Sequence, residues 1–100
     1  MAFRRMKILF TSDDLSFWQS AILYLKHESH IVHQADSLKL AQAETRDNDY
    51  DCIVCGPFKQ ANVVKFVNQL HDKKVLVYGH DLPKPSLQQF VEKIHELTAE

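Results

Sequence analysis

The stretch Tyr50-Asp51-Cys52-Ile53-Val54-Cys55-Gly56-Pro57 constrains the fold more than any other part of the chain. An apolar run opened by Tyr-Asp and stopped by a Gly-Pro breaker has the form of a central strand of a parallel sheet, buried on both faces. The C-terminal ends of such strands are where open α/β sheets place their sites. Here that end holds glycine and proline and no carboxylate.

Four short β-type runs alternate with helical patterns, which implies right-handed βαβ units and a parallel sheet between helices. The first strand is expected over residues 6–11, followed by Ser12-Asp13-Asp14, any of which could cap a helix. From Leu15 the apolar positions Leu15, Trp18, Ala21, Ile22 and Leu25 fall on one helical stripe, while Phe17 and Tyr24 border it or face away. A second strand is expected over 30–35. A weak helix follows from Asp36-Ser37, with Leu38 and Ala41 as core candidates, and ends at Asp47-Asn48-Asp49. The third strand, 51–55, leads through Gly56-Pro57 into a helix burying Val63, Phe66, Val67 and Leu70. The fourth strand is expected over 74–79. Ser86 then caps a helix carrying Leu87, Phe90, Val91, Ile94 and Leu97. A flavodoxin-like strand order 2-1-3-4 follows if the first crossover runs one way and the later ones the other.

Composition narrows the function. One hundred residues with 45% apolar content suit a single domain, able to bury roughly 65% of its unfolded surface. Twelve basic and thirteen acidic side chains give a net charge of -1, which provides no basic face for nucleic acid. The apolar runs Ile8 to Phe10 and Val75 to Tyr78 fall far short of the roughly 20 residues of a membrane span, and the N-terminus shows no signal-peptide hydrophobic region. The expectation is a cytoplasmic domain with no membrane contact of its own and with reduced cysteines.

The strand ending in Asp13-Asp14, the run Tyr50 to Gly56, and the junction Lys84-Pro85-Ser86-Leu87 before a final helix together resemble a response-regulator receiver domain. In receivers the acid pair holds a metal, the third strand ends in the phosphorylated aspartate, and a Lys-Pro junction precedes the last helix. The resemblance implies a CheY-like fold in which Asp13, Asp14 and Lys84 are retained and Gly56 stands at the acceptor position. Gly56 has no side chain to take a phosphoryl group. Two carboxylates without the acceptor retain a hard cation weakly, so no metal or other cofactor is expected. The switch hydroxyl is missing too, because the fourth strand ends in Tyr78-Gly79-His80. Between His80 and Lys84 there is no room for the helix and fifth strand of a full receiver, so the domain is truncated at what is usually the output and dimer face. In size and stripped site the chain is also similar to the α/β/loop domain of enterobacterial Rcs phosphorelay proteins, which sits beside a histidine phosphotransfer domain and helps dock the response regulator.

Rival chemistries each lack a group. Cys55-Gly56-Pro57-Phe58-Lys59 resembles a thioredoxin Cys-Gly-Pro-Cys-Lys site, where a helix N-terminus would lower the thiol's pKa, but Phe58 replaces the second cysteine and residues 75–79 hold no proline to stand opposite. A sugar-phosphotransferase IIB domain has four parallel strands and a similar Gly-Pro turn, yet its phosphocysteine position is occupied here by Thr11 and Ser12 beside repelling acids. Cys52 and Cys55, three apart on a strand, point to opposite faces and cannot share a disulfide or a metal. His27, His30 and His33 straddle a helix end and a strand, so geometry does not force them onto one ion.

The expected function is non-catalytic recognition of a signalling partner, either a response regulator or a histidine phosphotransfer domain, by a module of a larger phosphorelay protein. Asp13, Asp14, Phe17 and Tyr24 are the candidate contact residues, since aromatics are enriched at interface hot spots. Trp18 is expected to pack in the core. A Cys55-dependent enzyme and an oligomerisation domain are the alternatives.

Overall fold

Strands β1 (Lys7–Thr11), β2 (Ile31–Ala35), β3 (Cys52–Cys55) and β4 (Val75–Val77) form one parallel sheet in the order β2-β1-β3-β4, flanked by helices in the flavodoxin-like manner. The structure is a computed structural model describing residues 5–56, 66, 68, 74–78 and 86–98. Val63, Val67, Leu70 and Lys84 lie outside the described residues. The register sets Leu9 beside His33 and Ile53, and Thr11 beside Ala35 and Cys55.

Alternation along β1 and β3 divides the core in two, because successive side chains leave a strand on opposite faces. Ile8, Phe10, Cys52 and Val54 pack under the helices α1 (Gln19–His27) and α3 (Leu87–Thr98), meeting Trp18, Ile22, Leu25, Phe90 and Ile94. Leu9, Ile53 and Cys55 pack on the other face with Ala41 of α2 (Leu38–Asp47), Tyr50 and the helical residue Phe66. Each fully buried Leu, Ile or Phe contributes about 1.5–3 kcal/mol relative to exposure. Both clusters close on β1 and β3, which accounts for the unbroken burial of β3.

Local chemistry sets the element ends. Ser37 Oγ accepts from Leu40 N and caps α2, and Ser86 and Gln89 bond reciprocally in a capping box at the start of α3. The first helix departs from expectation. Asp14, at the position before the first turn, makes no side-chain cap. A 3-10 turn, Leu15–Trp18, comes first, and α1 proper begins at Gln19. Ser12 Oγ instead accepts from Asp14 N, and the Asp14 carboxylate accepts from Ser16 Oγ, so the segment folds on its own polar groups. Asp51 lies just outside β3 because its carboxylate accepts from Lys7 N at 2.8 Å while its own N–H donates to Lys7 O at 2.8 Å. Leu87 departs from its expected stripe and is 38% exposed.

Candidate functional site

The C-terminal ends of β1 and β3 are closed by aromatic side chains. Trp18, on the 3-10 turn, is 2% exposed and reaches across the sheet so that its Nε1–H donates to Gly56 O at 2.6 Å. Its ring lies 4.9 Å from Tyr78, 4.8 Å from Phe90 and 5.6 Å from Phe10, with Phe17 edge-on at 4.9 Å. Edge-to-face and tilted rings at these distances add to plain area burial. The cluster spans β1, the 3-10 turn, β4 and α3, and it explains why Trp18 packs as a core residue.

Gly56 is fixed from three sides. Its N–H donates to Thr11 O at 2.8 Å, its carbonyl accepts the indole, and the neighbouring Tyr78 N–H donates to Cys55 O at 2.8 Å. Its φ of +102° is a conformation that side-chain-bearing residues rarely adopt. A Cβ built here would stand 1.9 Å from Tyr78 O. Glycine at this strand end is therefore required by the backbone itself, and no carboxylate fits in this arrangement. Thr11 beside it is fully buried, and its Oγ1 has no hydrogen-bond partner among the described residues.

Asp13 and Asp14 are both exposed at the rim. Phe17 and Tyr24 are half-buried and rest against the core. The four do not form one cluster: Phe17 meets Trp18 edge-on, whereas Tyr24 lines a separate cleft with Glu28, His30 and His95. Sequence reasoning missed Leu23, which is 57% exposed on α1. The signal was present, since Leu23 lies off the Trp18–Ile22–Leu25 stripe.

Both cysteines are free and buried, on opposite faces as their spacing requires. Burial pushes the Cys55 thiol up to about 12, and burial followed by the charge of Asp51 pushes Cys52 to about 12. A thiolate nucleophile is disfavoured at either position.

The opposite end of the sheet is polar. Lys7 Nζ donates to Asn48 Oδ1 at 2.7 Å and lies 5.3 Å from the centre of the Tyr50 ring. Tyr50 OH donates to Glu44 Oε2 at 3.1 Å, and His33 Nδ1 lies 2.7 Å from the Tyr50 hydroxyl oxygen. A phenol has one hydrogen, so with Glu44 receiving it, His33 Nδ1–H is the donor to Tyr50. Burial first, then Glu44, pushes the Tyr50 phenol well above its usual range. His30 is held elsewhere, accepting from Met6 N at Nδ1, and His27 is exposed. The three histidines thus serve three different environments, and no group of three or more metal-ligating side chains converges among the described residues. Nor is any described helix long and apolar enough to cross a membrane.

No protein-family model matches the chain, and no curated protein matches it. Among solved structures, a response regulator receiver protein from Pseudomonas putida aligns with a TM-score of 0.64 at 15% sequence identity, covering 93% of this chain and 80% of that chain. The likeness is one of fold, a parallel sheet between helices, and at this identity it extends no further than the fold.

Proposed function

We propose that the chain is a non-catalytic protein-interaction domain of a two-component phosphorelay, built on a receiver-like frame, that binds a response regulator or a histidine phosphotransfer domain. The observation that carries this reading is the state of Gly56: this strand-end residue, which the resemblance puts at a receiver's acceptor position, is held by Trp18 and Tyr78 in a conformation that leaves no room for a side chain. A frame kept without its acceptor fits recognition better than phosphoryl transfer. On this reading the domain is a cytoplasmic module of a larger protein, comparable to the Rcs-type α/β/loop domain. The partner docks on the exposed side of α1 and the Asp13-Asp14 rim, with Phe17 and Tyr24 at the border. Docking there raises the partner's effective concentration near an adjoining phosphotransfer module.

Incubation with acetyl phosphate followed by intact-mass measurement is expected to leave the mass unchanged, and a labile phosphoryl adduct would overturn the reading. NMR titration with candidate response regulators is expected to move Asp13, Asp14, Phe17 and Tyr24 together. Resonances of α1 that stay still while others shift would reject the face proposed. The Cys55 enzyme is disfavoured by the raised thiol, and a structural oligomerisation domain would self-associate in sedimentation without any partner.

A further inference from the structure

At the corner where α1 turns into β2, three successive backbone bonds reverse the chain: Glu28 N to Tyr24 O, Ser29 N to Lys26 O, and His30 N to Leu25 O. The last two have the pattern of a Schellman cap, with Ser29 in the left-handed region at φ +69°. This turn delivers His30, 8% exposed, beneath the start of β1, where its Nδ1 accepts from Met6 N–H at 3.0 Å. An imidazole that accepts at Nδ1 must carry its hydrogen at Nε2, so the bond exists only in the neutral ring. A cavity of about 70 Å³ adjoins it, lined by Tyr24 and Glu28 of α1, His30 itself, and His95 of α3.

We propose that His30 and His95 form a proton-operated latch that holds α3 against the α1–β2 corner, closed when His30 is neutral and released when it is protonated. Protonation turns Nδ1 from acceptor to donor, so the Met6 N–H meets another N–H and loses its partner in a buried site. The new charge also faces His95, and Arg5 adds to the repulsion from the segment before β1. Among the described residues, Glu28 opposes release. Burial, then His95, holds the His30 imidazole below its ordinary 6.5, with Arg5 acting in the same direction and Glu28 against it.

The sign follows from that depression. Above about pH 6.5 neither the closed nor the open state binds the proton, and the latch is at full strength. As pH falls from 6.5 toward the folded pKa, the open state gains the proton first, and the opening constant rises by up to about tenfold per pH unit.

Native-state amide exchange of the full chain, expressed as protection factors, tests the latch between about pH 7.5 and about pH 5. Met6 and the last turn of α3 are expected to lose protection together, by up to about tenfold per unit below pH 6.5, while α2 amides keep theirs. Protection at Met6 that stays flat over this range, or α2 amides falling in parallel, would overturn the proposal. His30→Asn keeps an acceptor for Met6 N–H and removes the titration, so its Met6 protection should be flat. His95→Gln, an independent variant, should narrow the pH range of the loss by letting the His30 pKa rise toward 6.5. An unchanged range in His95→Gln would remove α3 from the latch and overturn it.

Discussion

The two ends of the sheet have been put to opposite uses. At the C-terminal end, where parallel sheets ordinarily keep their polar chemistry, Trp18, Tyr78, Phe90 and the Gly56 backbone form an apolar, interlocked plug. At the N-terminal end, where such sheets seldom do anything but fold, Lys7, His30, His33, Glu44, Tyr50 and Asp51 gather in hydrogen-bonded contacts. The contrast teaches that the buried hydrogen-bonded side chains of this chain gather away from the position that fold analogy would search first, which keeps only exposed acids at its rim.

The sharpest way to break this comparison is to return a carboxylate to the plugged end. Gly56→Asp is expected to destabilise by about 3–5 kcal/mol in urea melts, combining left-handed strain with the clash against Tyr78 O, and to remain unphosphorylated by acetyl phosphate. Gly56→Ala should cost nearly as much, because the Cβ is the offending atom; a mild Gly56→Ala would show that the plug yields easily. Next in size is Trp18→Phe, which keeps a ring in the cluster but orphans the Gly56 carbonyl. A loss of about 2–3 kcal/mol is expected from the unpaired buried acceptor and the smaller ring, and a loss below 1 would mean that the indole hydrogen bond contributes little to the lock. The smallest effect belongs to the other end. Ser29→Gly relieves the left-handed backbone at the α1–β2 corner and should stabilise by about 0.5–1 kcal/mol at pH 7. A destabilised Ser29→Gly would mean that the serine side chain holds the corner by a contact stronger than its backbone strain.

Much of the frame could be read from the chain because its determinants are local. The apolar run of β1, the stripe through Trp18, Ile22 and Leu25, and the Ser86–Gln89 cap each lie within a few residues of sequence, and the strand order 2-1-3-4 follows once the first crossover runs opposite to the later ones. The start of the first helix was not legible. Ser12 and Asp14 satisfy one another and Ser16 rather than the helix, a competition that spacing alone cannot resolve. The plug was half legible. Gly56 stands out as a glycine at a strand end, but the reason for it lies in Tyr78 O and in an indole 38 residues away. The histidines show the same division. Their spacing argued against a common ion, yet the use of His30 depends on Met6 and His95, which only tertiary packing brings near.

Cys52 and Cys55 have a consequence of another kind. One thiol lies in each half of the core, sealed from solvent by different helices and separated by the thickness of β3. Together they make a built-in pair of labelling reporters. A partial opening that lifts α1 or α3 exposes Cys52 to an alkylating reagent, and one that parts the opposite cluster of Ala41, Tyr50 and Phe66 exposes Cys55. The order in which the two are modified would therefore tell which layer of the molecule comes away first.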